Sequence, residues 1–446
     1  VADFAIEQAL NQERRVVYTS PIKALSNQKF RDFREQYGEE RVGLMTGDVT
    51  LQSDAPLLIM TTEIFRNTIF EDPARLDGFD FVIFDEVHYI DDRERGTVWE
   101  EAIIYAPAHI RIVALSATVP NVDQLADWIE RVRSLPVDVI IEEERPVPLT
   151  HKIWIPGRGP RALDEVKRHL IEMGELEKRK RNRRGHGRRP PQRVNRRTQA
   201  RIMDRAGDDL VDHLTERDLL PAIYFAFSRR DCEGLARRHA MRDLLTTEKR
   251  EQMLALFDDL AARYEVTDRD ETRFLRSMAG RGVLFHHAGM LPIDKEIVER
   301  LFNSGLVRLL FATETFALGV NMPARSVCFH ALSKYNGISF GPLLAREYWQ
   351  MAGRAGRQGI DTKGWVFALL DETSITYDNR VWFQSGHSEP VRSRFNLNYS
   401  AVLNLFRRVG EEVPQAWQRS FARYLHESKK QPFYEAKTKG KKGKGK

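Results

Sequence analysis

What most constrains this chain is an alternation that occurs twice. Short apolar or β-branched runs, each long enough for one strand, are separated by segments of helix length. Strand candidates fall at 15–19, 57–61, 79–84, 110–115 and 137–141, then again at 222–227, 283–285, 307–312, 326–329 and 365–369. Helix candidates lie between them at 22–37, 93–105, 121–132, 229–241 and 293–302. Runs apolar on both faces, joined by crossover helices, specify parallel sheets covered on both sides. The expected fold class is α/β, with two doubly wound parallel-sheet domains in tandem. Functional residues are expected at the carboxyl ends of the strands.

Between the two series lies a different kind of sequence. Residues 178–201 hold 12 Lys and Arg and no acid, and residues 428–446 hold eight Lys and one Glu. The 446 residues carry a formal charge of +6, so setting these segments aside (+12 and +7) leaves a body of −13. The chain reads as a mildly acidic body bearing two basic, Gly-containing segments expected to be disordered. Two cysteines, Cys232 and Cys328, are too few for a disulfide framework or a zinc cluster. That composition fits a reducing compartment, and a cytoplasmic location is expected. No apolar run reaches the roughly 18 residues of a membrane span. The opening VADFAIEQALNQERR lacks the pattern of a secretory leader and reads as an amphipathic helix already under way. That beginning looks cut.

The most chemical segment is FDEVHYIDD. Residues 80–84 (DFVIF) are apolar enough for a central strand, which delivers Asp85 and Glu86 at its carboxyl end. Two adjacent carboxylates at a buried strand end are costly unless something compensates them. In nucleotide hydrolases such a pair holds Mg²⁺ and activates water. Alone, the pair reads better as a solvated strand-to-loop turn, where Asp and Glu are common. Its context is more specific: after a second apolar strand stands Ser116-Ala117-Thr118, whose hydroxyls can link the acid turn to a neighbouring segment.

These segments belong to an ordered set. TSPIKALSNQKF (19–30), TGDV (46–49), TTEIFRN (61–67), DEVH (85–88), SAT (116–118) and QMAGRAGRQG (350–359) follow the order of superfamily 2 helicases. Together with ERGTVWEEAIIYAP (94–107), HHAGMLP (286–292), FATETFALGVNMPA (311–324) and FNLNYSAVLNLF (395–406), the set resembles the DExH-box Ski-like group. That group comprises ATP-dependent RNA helicases serving RNA-decay exosomes. The resemblance covers roughly residues 1–425 apart from the basic segment. It implies two RecA-like domains followed by the start of a winged-helix module.

The domain limits expected are 1–144 for the first RecA-like domain, 145–220 for a connection containing the basic segment, and 221–394 for the second. A partial winged-helix region at 395–427 and the Lys/Gly-rich tail at 428–446 complete the chain. No G-x-x-x-x-G-K-[ST] phosphate loop occurs in it. In the family that loop immediately precedes a helix like VADFAIEQAL. The expectation is a chain starting one or two residues after it, and a poor ATPase as it stands.

The resemblance also implies roles. Asp85 would coordinate Mg²⁺, Glu86 would activate water, and His88 would couple the nucleotide site to the second domain. Ser116 and Thr118 would relay nucleotide state. Gln350, Arg354 and Arg357 are expected on one helical stretch, with the two arginines at i, i+3 sharing a face. As arginine fingers they would reach the γ-phosphate of ATP. Gly319 and Asn321 resemble the loop that senses nucleotide. For nucleic acid, the implied floor is Thr19, Pro21, Lys23, Thr61 and Thr62, with Ser228 and Thr313 in the second domain. Ser228 reads equally well as a helix cap. Helix N-termini and hydroxyls grip phosphates without reading bases.

The reading is an ATP- and Mg²⁺-dependent 3′-to-5′ RNA helicase, a monomeric motor acting on single strands and on duplexes with a 3′ overhang. An RNA-degrading nuclease is its expected partner, and no membrane is involved. Its rivals are a DNA-unwinding relative and a non-catalytic RNA-binding scaffold.

Overall fold

The computed structural model describes residues 1–117, 119–142, 144–166, 168, 196–319, 322–335, 339–370, 389–395 and 413–428, with isolated residues between 402 and 410. It divides into two compact units, Val1–Ile141 with Ser388–Lys446, and Glu142–His387.

The first unit opens with α1 (Ala2–Asn11), β1 (Arg15–Ser20) and α2 (Lys23–Tyr37). β2 (Val42–Met45), β3 (Thr50–Leu51), β4 (Leu57–Thr61), α3 (Thr62–Glu71) and β5 (Phe79–Phe84) follow. α4 (Gly96–Tyr105), β6 (Arg111–Ala114) and α5 (Val122–Arg133) complete this stretch. The strand order is β3-β2-β4-β1-β5-β6, parallel throughout except for the β2–β3 pair. β1 and β4 are apolar and buried on both faces, as a central parallel strand must be. On one face Ile6, Leu10, Phe30 and Phe33 pack against Val16, Tyr18, Ile59 and Ile83. Because β1, β4 and β5 run in parallel with Ser20 opposite Thr61 and Thr19 opposite Phe84, their carboxyl ends lie along one edge.

The second unit contains β7 (Leu149–Ile155), β8 (Gly159–Arg161), α6 (Arg196–Glu216), β9 (Ala222–Phe225) and α7 (Arg229–His239). Next come α8 (Thr247–Arg263), α9 (Asp270–Ala279), β10 (Val283–His286), α10 (Pro292–Asn303), β11 (Leu309–Ala312) and α11 (Glu314–Gly319). The last elements are β12 (Ser326–Phe329), the hairpin β13 (Ser333–Tyr335) and β14 (Phe340–Pro342), α12 (Ala345–Ala352) and β15 (Gly364–Leu369). Its sheet runs β10-β11-β9-β12-β15-β7-β8, antiparallel only at β7–β8. Both sheets bear helices between parallel strands, so the α/β, doubly wound expectation stands.

Four details differ from the sequence reading. The 145–220 stretch is not a mere connection: β7 pairs in parallel with β15 over six residues, from Gly364 opposite Leu149 to Leu369 opposite Trp154. The wide apolar edge of β15 recruits a strand whose half-buried outer residues gave it little apolar signal. Residues 196–201, expected to be disordered, form the opening turns of α6, which continues into an apolar face with Leu210, Val211 and Leu214 in the core. The rest of the basic segment and residues 429–446 lie outside the described residues. The strand expected at 137–141 does not form; Ile140 and Ile141 are 75% and 64% exposed. Apolar character alone does not make a strand where no ladder partner meets it.

Residues 389–395 also depart from expectation, packing with the first unit rather than the second. The amide of Val391 donates to Asn121 Oδ1, and Arg394 pairs with Asp91. α13 (Val413–Arg419) and α14 (Phe421–Ser428) continue this association. Trp128 Nε1 donates to the Arg419 carbonyl, and the amide of Phe421 donates to Glu100 Oε2 at 2.8 Å. Within the 395–427 stretch read as winged-helix, residues 396–401, 404–405, 408–409 and 411–412 lie outside the described residues.

Candidate active site

The apolar β5 strand ends at Phe84, but the Asp85 amide donates to the Thr19 carbonyl at 3.0 Å, extending the ladder by one residue. Asp85 is thereby held at the carboxyl edge of the sheet, half-buried. Its Oδ2 accepts from the Tyr18 hydroxyl at 2.6 Å and its Oδ1 from the Glu86 amide at 3.0 Å. No basic side chain forms an ion pair with Asp85 among the described residues.

The chain then turns sharply. Glu86 has φ 57° and ψ 47°, a left-handed conformation that costs a non-glycine residue about 1 kcal/mol. The turn brings Glu86 Oε2 within 3.3 Å of His88 Nδ1, and Ser116 Oγ lies 3.4 Å from the same nitrogen. Two main-chain bonds lock the segments together: Leu115 N to the Phe84 carbonyl at 2.9 Å and Val87 N to the Leu115 carbonyl at 2.8 Å. The link between the acid turn and the serine segment is thus built from backbone, with the His88 contact added to it. Thr118 lies outside the described residues.

The donor set fits one cation in particular. Mg²⁺ binds through one or two carboxylates plus substrate phosphates and keeps much of its water. A half-buried aspartate held by neutral donors supplies such a ligand. No group of three or more metal-ligating side chains occurs among the described residues, so an all-protein metal cage is not on offer there.

The expected nucleic-acid floor is largely committed to the fold. Thr19 is fully buried and donates to the Ile83 carbonyl at 3.1 Å; Thr62 is equally buried and donates to the Ser20 carbonyl at 3.3 Å. Thr61 caps α3 by accepting from Ile64 N, and Pro21 is buried with its carbonyl accepting from Arg95. The Thr19 and Thr62 hydroxyls thus tie neighbouring segments together, and that of Thr61 caps a helix. Lys23 is the exposed one, paired with Asp48 at 2.8 Å. In the second unit Ser228 caps α7, accepting from Asp231 N and donating to Asp231 Oδ2, so capping is what its hydroxyl does. Thr313 is buried at the end of β11, with its hydroxyl 3.0 Å from that of Thr315.

The glycine-rich segment after α12 also corrects the sequence reading. The helix stops at Ala352, so Arg354 and Arg357 do not share a helical face. Ala355 forms a parallel bridge with Ala324, and Gly356 adopts φ +84° where a Cβ would stand 2.5 Å from Val147 Cγ1. Glycine here serves a close approach and a left-handed turn. Arg354 donates to the Ala317 carbonyl. Arg357 is bidentate to Asp361, through Nε at 2.7 Å and a terminal nitrogen at 3.0 Å. Each partner stabilises the other's charge: the Arg357 guanidinium is pushed further up and the Asp361 carboxyl down. Gln350, on α12, has a buried amide nitrogen with no hydrogen-bond partner among the described residues. Gly319 is the last residue of α11, and Asn321 lies outside the described residues.

Sequence reasoning missed Tyr18. The signal was available: one polar aromatic among the valines of a central strand, immediately before the Thr-Ser that ends it.

Two parallel sheets in tandem, one presenting an acid pair at its carboxyl edge and the other an arginine-bearing turn, define a tandem RecA-like helicase core. Residues 2–125 match the DEAD/DEAH box helicase model, and residues 236–359 match the model of the helicase conserved C-terminal domain. The chain belongs to the DEAD/DEAH-box helicases of superfamily 2 and is similar to their Ski-like members. It is 41% identical over 439 residues to mouse Superkiller complex protein 2, covering 95% of this chain and 35% of that protein. It is 39% identical over 442 residues to the human Exosome RNA helicase MTR4, covering 95% and 41%. With the Arabidopsis thaliana DExH-box ATP-dependent RNA helicase DExH9 it shares 37% identity over 430 residues, covering 91% and 42%. The chain therefore spans between about a third and two-fifths of the length of these relatives.

Proposed function

We propose that this chain is the motor core of an ATP-dependent RNA helicase that moves 3′ to 5′ in RNA decay or processing. The observation that carries the reading is the acid turn. Asp85 is oriented by neutral donors and is left with negative charge for a cation, while Glu86 follows it directly at the strand end. Mg²⁺ held by Asp85 would neutralise phosphate charge and orient the nucleotide. Glu86 is the residue placed to take a proton from water, with His88 and Ser116 setting its surroundings. Arg354 and Arg357 are the cations for the transferring phosphoryl group, and each must exchange a present partner to serve it. Gly319 and Asn321 would add a nucleotide-sensing loop. Lys23 and the basic 178–195 stretch supply sequence-independent attraction to the RNA backbone.

The names of two relatives, an exosome RNA helicase and an ATP-dependent RNA helicase, support RNA as substrate, and the first of them supports an exosome as partner. The test is ATP hydrolysis by the intact protein with RNA or DNA added, followed by displacement of strands carrying 3′ or 5′ overhangs. Stimulation by RNA and displacement from 3′ overhangs are expected. Stronger stimulation by DNA would transfer the reading to a DNA helicase; RNA binding without hydrolysis would make it a scaffold.

A further inference from the structure

The acid turn depends on a side chain from the neighbouring strand. Tyr18 sits in the middle of the sheet on β1, opposite Ile83 of β5, and is 2% exposed. Its ring meets Phe33 edge-on at 5.3 Å between centroids, which fixes where the hydroxyl points. A phenol in such a core position costs free energy unless its hydroxyl is bonded. Here the hydroxyl is bonded to Asp85 Oδ2 at 2.6 Å, the short range of a charge-assisted bond.

We propose that Tyr18 is a positioning residue for metal binding: its hydroxyl, with the Glu86 amide, holds the Asp85 carboxylate in the orientation that receives Mg²⁺. The inference rests on the reading of Asp85 as the Mg²⁺ ligand. An ionised carboxylate offers about four acceptor directions. Tyr18 takes one on Oδ2 and the Glu86 amide one on Oδ1, so the plane is set and each oxygen keeps capacity for a cation or its water. The choice of donor matters. A lysine or arginine at this point would orient the carboxylate too, but would cancel the charge that the metal needs. A phenol orients without cancelling. The Lys29 ammonium, 5.9 Å from the Tyr18 ring centroid, approaches the ring and takes no part in this bond.

Tyr18→Phe removes the hydroxyl and keeps the ring. In the intact protein with ATP present, Mn²⁺ binding followed by electron paramagnetic resonance should weaken by about tenfold, the scale of lost outer-shell hydrogen bonds. The Mg²⁺ concentration for half-maximal ATP hydrolysis should rise by the same factor, with the rate at saturating Mg²⁺ kept. The double substitution Tyr18→Phe/Asp85→Asn should bind Mn²⁺ no worse than Asp85→Asn alone, because Tyr18 acts only through Asp85. Additive losses would overturn the proposal, as would a Tyr18→Phe protein with unchanged Mn²⁺ affinity while Asp85→Asn is impaired. An Asp85→Asn protein with unchanged affinity would overturn the reading of Asp85 itself. Loss of cooperative unfolding in Tyr18→Phe would assign the hydroxyl a structural role and reject the positioning one.

Discussion

Two carboxylates of the first unit, Asp85 and Glu100, and three of the second, Asp361, Glu314 and Glu347, are held in opposite ways. Asp85 is bonded by a phenol and a backbone amide, and Glu100 by the Ser393 hydroxyl and the Phe421 amide. In the second unit Asp361 is bidentate to Arg357, while Glu314 and Glu347 share the Lys334 ammonium. Neutral donors orient a carboxylate and leave its charge uncompensated; ion pairs compensate the charge and leave little for a ligand. Solvent then separates the two carboxylates of the first unit. Asp85 is half-buried and can meet an incoming cation, whereas Glu100 is fully buried and its carboxyl is pushed up to about 7, chiefly by loss of water. Asp85 keeps negative charge available, whereas Arg357 and Lys334 have their positive charge engaged within the second unit.

The comparison can be broken first at the acid turn. Glu86→Gln keeps the shape and removes the base, so single-turnover hydrolysis by the intact protein should fall about 10²- to 10⁴-fold. RNA affinity with ATP present should persist. Undiminished turnover would remove Glu86 from the chemistry and with it the contrast between the two units.

A second test addresses burial without a counter-charge. Glu100 is raised from an ordinary value of 4.5 to about 7, with neighbouring Glu101 pushing in the same direction as burial. The native state therefore holds a proton that the unfolded chain has released between these values. Its stabilising contribution is complete below about pH 4.5, is lost as pH rises to about 7 and is flat beyond, a change on the order of 3 kcal/mol. In urea unfolding across pH 5–8, the stability of the wild type relative to Glu100→Gln should fall with rising pH by this amount. An identical slope in both would place the titration elsewhere.

The ion-paired side is tested by Asp361→Asn. Removing one partner of a largely buried pair should cost about 3 kcal/mol of stability, read as a lowered urea midpoint. The same change frees Arg357, so any gain in affinity for a nucleotide would mark the pair as a competitor of the ligand. No loss of stability would mean that the pair is as weak as an exposed one. The smallest effect is expected from deleting residues 178–195, which spares the opening of α6. The dependence of RNA affinity on salt should become shallower by about 0.7 in log–log slope for each phosphate that the shortened chain no longer neutralises. An unchanged slope would reduce the segment to a tether.

Much of this protein was legible in its residues. Apolar runs such as VVY, LLIM and FVIF encode buried parallel strands by local composition, and they place Asp85 and Glu86 at a strand end with no reference to the rest of the chain. The α/β class, the tandem arrangement and the acid turn follow from that local information. What needed the tertiary structure was every question about partners. β7 joins its sheet through β15, some 200 residues later, so no local pattern marks it. Thr19 and Thr62 look like phosphate contacts until register turns their hydroxyls onto the carbonyls of Ile83 and Ser20. The i, i+3 spacing of Arg354 and Arg357 is helical only on paper, because the bridge from Ala324 to Ala355 pulls the chain out of the helix. Tyr18 reads as one more strand aromatic until β1 and β5 lie side by side. Sequence determines which residues are apolar, charged or bent; only the packed chain decides which donor meets which acceptor, because those pairs lie far apart along it.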